Sequence, residues 1–219
     1  MFPDLLERLV DKLPKGDIIS VYGSTEAEPI AHQRASEIIN RDWQNMRNGA
    51  GLLAGRPVSR IKLEIIDDEI TVAGAHVNQG YADPADNQST KTFRNGTIWH
   101  RTADAGRLDE LGRLWLLGRL DGRVGALFPF GIEAAARYWR GVTRAALIPL
   151  DGHAVLAVEG DHAFTAIWQT HADQLGDIRV VAVDSIPLDR RHASKIDYVG
   201  LKKMISKSFP HLRTGTSFR

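Results

Sequence analysis

The chain has 219 residues, with 28 Lys and Arg against 27 Asp and Glu, and it contains no cysteine. This length accommodates one large domain or two small ones. A formal net charge of +1 gives no basic field for bulk binding of nucleic acid or anionic lipid. The lack of cysteine excludes disulfides, thiolate metal sites and cysteine nucleophiles. No apolar run approaches the roughly 18 residues that span a bilayer, so we expect a cytoplasmic protein without a membrane span.

The N-terminal segment predicts one helix and one strand. Residues 3–13 place five apolar side chains on one helical face, with Pro3 at the start and Pro14 at the stop. Residues 17–22 (DIISVY) read as a short buried strand that Gly23 ends. The stretch 31–47 is polar and mixed, and only residues 35–39 suggest a helical turn or two.

Residues 56–118 predict a module of short antiparallel strands that resembles a small barrel. Apolar residues alternate over 61–65 and again over 70–72, and Asp67-Asp68 between them reads as a turn. Three further short strands follow at 98–101, 105–108 and 113–117.

The chain after Gly118 predicts a compact α+β unit. A helix over 132–139 precedes a hairpin whose Asp151-Gly152 dipeptide favours a two-residue turn. A helix over 161–175, a strand over 177–183 and a closing helix over 198–209 complete an α-β-β-α-β-α order. We therefore expect an α+β fold with three parts, namely 1–120 as the end of a large domain, 121–209 as a small domain, and 210–219 as a loose tail.

The segment YGSTEAEPIA (22–31) carries the first candidate site. Gly23 permits a tight turn, and Ser24 and Thr25 offer hydroxyl and N–H groups to phosphate oxygens. Glu26 is a hard oxygen ligand of the kind that suits Mg²⁺ paired with phosphate. Taken alone, the segment favours a helix N-cap in a strand-to-helix turn over a phosphate site.

Three further candidates each have an ordinary alternative. Asp104 could accept hydrogen bonds from a ribose diol, or it is a turn residue beside Gly106. Arg119 and Asp121 flank the domain boundary. Arg119 could contact a phosphate or a ribose hydroxyl and Asp121 could be a hinge, or both are solvated charges of a linker. Lys195 could stabilise charge on an acyl phosphate, with Arg190, Arg191 and His192 adding positive potential, or it belongs to an exposed basic loop.

Four segments in this order resemble the adenylate-forming superfamily of acyl- and aryl-CoA synthetases, peptide-synthetase adenylation domains and luciferases. YGSTE is similar to its Y-G-x-T-E signature, and TVAGAHVNQGY (71–81) to its G-x-x-V-x-x-G-Y segment. The run HRTADAGRLDELGRLWLLGRLDGRV resembles its R-T-G-D…G-R-x-D run, and ASKID resembles its G-K-I-D signature. The resemblance covers residues 4–203 and implies the C-terminal end of a large AMP-binding domain followed by a mobile small domain.

The resemblance implies ATP or AMP and Mg²⁺ as cofactors and a carboxylic acid, fatty acyl-like, as substrate. It implies that a carboxylate attacks the α-phosphate of ATP to give acyl-AMP and pyrophosphate. It implies that Tyr22 lies against adenine beside Gly23 and Ser24, that Thr25 contacts the α-phosphate and that Glu26 helps hold Mg²⁺. It also implies that Asp104 contacts the ribose and that Arg119 contacts ribose or phosphate. Asp121 would be the hinge, and Lys195 would be the catalytic lysine.

Within the superfamily, YGSTEAEPIA, GAGLLAGRPV (49–58) and DRRHASKID are similar to fatty-acid-CoA-ligase-like proteins that include olefin-pathway β-lactone synthetases. Those enzymes adenylate a β-hydroxy acid and close it to a lactone without CoA. Gly125 replaces a basic residue that acyl-CoA ligases carry after the hinge, which argues against CoA as acceptor. Ala103 replaces a family glycine.

The sequence contains no Ser/Thr/Gly-rich phosphate loop ending in Lys, and the family's proteins are more than twice as long. We therefore expect the C-terminal portion of an adenylating enzyme, inactive alone, which pairs with the missing N-terminal half or self-associates. The alternative is a non-catalytic interaction or regulatory module derived from such an enzyme.

Overall fold

The computed structural model describes residues 1–190 and 195–213. Its first part is dominated by an eight-stranded antiparallel sheet in the order β1-β2-β3-β8-β7-β5-β4, with β6 paired to β7. The strands are β1 (Ile19–Ser24), β2 (Ala27–Arg34), β3 (Leu52–Pro57), β4 (Lys62–Ile66), β5 (Glu69–Ala73), β6 (Lys91–Arg94), β7 (Thr97–Leu108) and β8 (Leu114–Arg119).

Three helices accompany this sheet. They are α1 (Pro3–Lys12), α2 (Asn40–Arg47) and α3 (Pro84–Thr90). Helix α1 starts at a proline, which needs no N–H partner in the first turn, and it matches the predicted helix. Helix α2 was not predicted, because its sequence is polar. The guanidinium of Arg113 holds it in place by donating to both carboxylate oxygens of the buried Asp42, at 2.7 and 2.8 Å.

The turn after β1 differs from both sequence interpretations. Ser24 pairs with Ala27 across a tight β-hairpin, so the chain runs from strand to strand and the helix N-cap alternative is wrong. Strand β2 was missed. Strand β1 was predicted to be buried, but it is partly exposed. It lies at one end of the sheet and exposes 40% of Ile19 and 53% of Val21.

Strand β7 is one long strand where the sequence indicated two. Thr102-Ala103-Asp104 interrupts its regular conformation, and Ala103 adopts φ +57°. Pairing with β8 begins at Asp104, opposite Arg119. The predicted turn at Asp67-Asp68 is confirmed, because both residues adopt positive φ between β4 and β5.

The second part is the α+β unit expected from the sequence. Its three-stranded sheet has the order β11-β10-β9, with β10 antiparallel to β9 and parallel to β11. The elements are α4 (Pro129–Ala136), β9 (Val142–Leu150), β10 (His153–Gly160), α5 (Thr165–Leu175), β11 (Ile178–Val183) and α6 (Tyr198–Ser208). The α+β fold class is thereby confirmed.

Helix α4 packs against both parts of the molecule. Ala134 is buried in the core of the first sheet, whereas Ile132 and Ala136 belong to the core beneath β9 and β10. The helix lies so close to the loop before β3 that a side chain at Gly131 would meet the carbonyl oxygen of Gly49 at 2.1 Å. Separating the two parts at the linker therefore requires breaking a packed interface.

The expected loose tail begins with an ordered turn. Residues Pro210–Arg213 form a 3-10 turn, and Leu212 is buried against the core of the second part. Residues 214–219 lie outside the described residues. No described helix is both long and apolar enough to cross a bilayer.

Candidate functional site

Three of the predicted site residues form one hydrogen-bonded cluster. The hydroxyl of Tyr22 donates to Asp104 Oδ2 at 2.8 Å, and the Arg119 guanidinium donates to Asp104 Oδ1 at 3.0 Å. The same arginine nitrogen donates to the carbonyl oxygen of Thr102 at 2.9 Å. Asp104 and Arg119 are directly opposite each other in the β7–β8 ladder, and β1 supplies Tyr22. The fold thus joins two signature segments that are 82 residues apart.

The cluster has a defined charge state. Burial, followed by the Asp104 carboxylate, raises the pKa of Tyr22 well above its usual value, so the phenol stays protonated and donates. The Asp104 side chain is 20% exposed and that of Arg119 is 51% exposed. Each carboxylate oxygen of Asp104 has a second lone pair, so this carboxylate can still accept from a hydroxyl pair of a ligand.

Glu26 lies in the β1–β2 turn and contacts a second signature segment. The hydroxyl of Tyr81 donates to Glu26 Oε1 at 2.9 Å, and the backbone N–H of Asn78 donates to the Glu26 carbonyl at 2.7 Å. Burial alone raises the pKa of Glu26, but the neighbouring hydroxyls of Ser24 and Tyr81 outweigh it, and the pKa is lowered. Glu26 is therefore a carboxylate at neutral pH.

Sequence reasoning missed two titratable side chains beside Glu26. The ammonium of Lys91 lies 3.3 Å from His100 Nδ1 and 5.2 Å from the centre of the Tyr81 ring. Burial, and then the Lys91 charge, lower the pKa of His100. Burial also lowers the pKa of Lys91, and the Glu26 charge opposes that effect. Lys91 stands in no recognised motif, so no pattern in the sequence could have identified it.

The turn between β1 and β2 exposes Thr25 to solvent. A side chain at Gly23 would meet the Ala27 carbonyl oxygen at 2.8 Å, so the close approach of the two strands requires glycine there.

The donor set fits a magnesium ion held mainly by substrate phosphates. Among the residues described, no three His, Asp or Glu side chains are grouped as a metal cage would require. Glu26 supplies one ionised carboxylate, and Mg²⁺ sites in phosphate-handling proteins often use only one or two such ligands.

Lys195 lies in the second part, outside the cluster. The backbone carbonyl of Lys195 accepts from the Asp189 N–H at 2.9 Å. Next to it, Leu188 and Ile196 pair in an isolated antiparallel β-bridge. The Lys195 side chain is exposed, and no ion pair joins it to Glu26 or Asp104 within 1–190 and 195–213. Arg191 and His192 lie outside the described residues.

Asp121 is exposed in a 3-10 turn, Leu120–Gly122, that connects the two parts. Just after it, Arg123 donates to Asp68 Oδ2 at 2.8 Å. The linker is therefore tied to the β4–β5 turn in this arrangement.

Sequence comparison finds relatives among the enzymes that these segments resemble. No family model matches the chain. An olefin β-lactone synthetase of Stenotrophomonas maltophilia is 28% identical, covering 89% of this chain and 43% of that enzyme. A 2-succinylbenzoate–CoA ligase of Arabidopsis thaliana is 28% identical over 165 residues, covering 66% of this chain and 30% of that enzyme.

The chain is similar in sequence to adenylate-forming enzymes, among them CoA ligases and olefin β-lactone synthetases. Solved structures of IdnL7 and of ATP-bound MatB from Rhodopseudomonas palustris share the fold, with TM-scores of 0.76 and 0.74 at 22% and 19% identity. Each alignment covers 95% of this chain but only 43% and 44% of those proteins. The chain thus spans less than half the length of these relatives and corresponds to the C-terminal portion of the superfamily.

Proposed function

We propose that this chain supplies the nucleotide-binding cluster and the catalytic lysine of an AMP-forming carboxylate ligase. The observation that carries the proposal is the Tyr22–Asp104–Arg119 cluster, because these residues come from separate signature segments and converge on one carboxylate. As further parts of the proposal, the carboxylic acid is fatty acyl-like, and the protein is cytoplasmic.

In the proposed reaction a carboxylate oxygen of the acid attacks the α-phosphorus of ATP. A new P–O bond forms, the bond to the bridging oxygen breaks, and pyrophosphate leaves with that electron pair. Tyr22 lies against adenine, Asp104 accepts from the ribose hydroxyls, and Arg119 contacts ribose or phosphate. Thr25 contacts the α-phosphate, with the turn at Gly23 and Ser24 shaping the approach. Such chemistry depends mainly on positioning and charge stabilisation.

Glu26 is the residue of this chain that would hold Mg²⁺, and the ion would neutralise phosphate charge. The lowered pKa of Glu26 keeps its carboxylate ionised for this purpose. Tyr81 orients the carboxylate through its hydroxyl.

Lys195 would stabilise the charge that develops between carboxylate and phosphate. Because its side chain makes no ion pair with the cluster in the described part of the chain, the proposal requires the second part to move. Asp121 is the proposed hinge. The packing of α4 against the first core opposes that movement, and the ligand must offset the loss of those contacts.

Carboxylate-dependent ATP–pyrophosphate exchange tests the proposed reaction. The chain is assayed alone and mixed with the separately expressed N-terminal portion of the S. maltophilia synthetase. We expect negligible exchange from the chain alone and measurable exchange from the mixture. Lys195→Ala should lower the exchange rate of the mixture about 100-fold or more. Inactivity of the mixture with both parts folded would contradict the proposal and favour a non-catalytic module.

Nucleotide binding by the chain tests the cluster separately. Asp104→Asn removes a charged acceptor, and hydrogen bonds to charged groups contribute about 1.5–3 kcal/mol. We therefore expect the AMP dissociation constant to rise about 10- to 100-fold by calorimetry. Asp11→Asn, at an exposed position on α1, is the matched control and should leave AMP binding unchanged. Equal binding by wild type and Asp104→Asn would contradict the assigned role.

A second candidate is cyclisation of a β-hydroxy acid after adenylation. Two olefin β-lactone synthetases each match 89% of this chain, the second from Xanthomonas campestris at 27% identity. Gly125, which stands in place of a basic residue, is exposed, and a β-carbon added there would have no atom within 4 Å. Formation of a β-lactone from a β-hydroxy acid without CoA by the active mixture would support this candidate, whereas a CoA thioester as the only product would exclude it.

A further inference from the structure

A groove of about 810 Å³ lies between the linker and helix α6. The start of α4 and the end of β9 form its floor, through Pro129, Phe130, Ile148 and Pro149. Val199, at the first turn of α6, adds an apolar side chain that is 66% exposed. Pro129 and Ile148 are buried, so the half-buried Phe130 and Pro149, together with Val199, supply the apolar surface that the groove leaves open to solvent.

Positive charge lines one side of the same groove. Lys202, Lys203 and Lys207 all face it from α6, and none of them has an ion pair in the part of the chain that the structure describes. Arg119 lines the groove too, but Asp104 already neutralises it. Asp121 is the one carboxylate among the lining residues. The groove therefore carries an excess of uncompensated positive charge along α6.

We propose that this groove binds a small amphipathic anion, an apolar chain that ends in a phosphate. The apolar floor would remove the chain from water, which is favourable in proportion to the area buried. The lysine ammonium groups would pair with the anionic end through charge-assisted hydrogen bonds. The cavity volume falls in the range of about 300–1,000 Å³ that is usual for small-molecule sites.

The proposal goes beyond the proposed ligase function. The nucleotide cluster is built on β1, β7 and β8, whereas the cationic side of the groove is on α6. Of the residues assigned to nucleotide binding, Arg119 alone borders both sites, so the α6 lysines can be changed without altering the rest of the cluster.

The test is titration calorimetry of the full chain with dodecyl phosphate below its micellar concentration. Dodecanol and inorganic phosphate are the two partial ligands, since one lacks the charge and the other lacks the chain. We expect one bound equivalent of dodecyl phosphate and at least tenfold weaker binding of each partial ligand. Vesicles containing phosphatidic acid distinguish a free amphiphile from a lipid surface.

Four variants locate the binding. Lys202→Gln and Lys203→Gln should each weaken dodecyl phosphate binding about 3- to 10-fold, the effect of losing one partly exposed charge pair. Val199→Asp should weaken it at least tenfold, because it places a carboxylate among the apolar side chains of the groove, at a position that is 66% exposed. Lys62→Gln, an exposed lysine on β4, is the matched control and should bind like wild type.

Three results would overturn the proposal. The first is unchanged affinity in Lys202→Gln, Lys203→Gln and Val199→Asp with circular dichroism showing native folding. The second is a loss in Lys62→Gln as large as in the α6 variants. The third is binding to phosphatidic acid vesicles with no binding of free dodecyl phosphate, which would indicate a membrane surface instead.

Discussion

Ala103 holds a left-handed backbone conformation that an alanine side chain disfavours. Its φ is +57°, and it stands between Thr102 and Asp104, which both accept hydrogen bonds from Arg119. Left-handed helical geometry costs a residue with a β-carbon roughly 1–2 kcal/mol, and glycine avoids that cost but loses more chain entropy. We expect Ala103→Gly to raise the free energy of unfolding by about 0.5–1 kcal/mol and the melting temperature by about 1–4 °C.

Thermal denaturation followed by circular dichroism measures this effect, and Ala105→Gly is its matched control. Ala105 lies two residues further along β7, is fully buried and is not among the residues with positive φ. We expect the control to lower the melting temperature, because a buried methyl group is lost and the conformational entropy of the unfolded chain increases. A lower melting temperature for Ala103→Gly as well would show that the conformation at Ala103 is not strained.

The cluster residues could be predicted from the sequence, but their surroundings could not. Tyr22, Asp104 and Arg119 each stand in a signature segment, so their roles followed from the resemblance. Lys91 stands in none. It reaches the site because α3 and β6 carry it next to His100, and its carbonyl partner Asn78 is 13 residues away. Such neighbours depend on tertiary packing that local patterns do not encode.

At the scale of elements, a buried carboxyl group ties helix α4 to β9 and α6. Glu133 is fully buried, and it accepts from Leu147 N–H at 3.0 Å and from the Tyr198 hydroxyl at 2.8 Å. Burial raises the pKa of Glu133 from 4.5 to about 8, although the hydrogen bonds and the Arg137 charge partly oppose this. The protonated form is therefore the one that the fold favours.

The raised pKa of Glu133 predicts that stability falls as pH rises from 4.5 to about 8. The group titrates near pH 4.5 in the unfolded chain and near pH 8 in the fold, so its contribution is fully present below pH 4.5 and is lost as pH rises to 8. The loss is on the order of several kcal/mol. Glu133→Gln should remove most of this dependence, measured by urea unfolding from pH 5 to 9. Glu37→Gln, an exposed control, should keep the wild-type slope. A Glu133→Gln profile parallel to wild type would contradict the assignment.

Elements with an apolar period were predictable, and those held by distant contacts were not. All six elements of the second part follow from alternation, helical periodicity and the Asp151-Gly152 turn. Strand β2 was missed because Glu28-Pro29 interrupts its apolar pattern. Helix α2 was missed because its stability comes from the Asp42–Arg113 pair, whose members are 71 residues apart. Long-range ion pairing of this kind overrides local propensity.

At the scale of the whole molecule, the surface along strand β1 combines an open strand edge with apolar side chains. Strand β1 ends the sheet and leaves Ile19 and Val21 exposed, and α1 exposes 43% of Leu5, 38% of Val10 and 53% of Leu13. An unpaired strand edge and an exposed apolar face both favour association with another chain. We expect copies of this chain to associate through this surface when no other polypeptide covers it.

Sedimentation velocity over a range of concentrations tests this association. The weight-average mass of wild type should rise above 24.3 kDa with concentration. Val21→Lys places a charge on the strand edge, which is how natural sheets discourage pairing, and burial of a valine contributes roughly 1.5 kcal/mol or more. This variant should therefore require about tenfold higher concentration for the same mass. Leu111→Lys changes a side chain that is 57% exposed in the β7–β8 turn, and it should associate like wild type. A monomer at every concentration, or an equal effect of both variants, would show that the edge of β1 is not the contact.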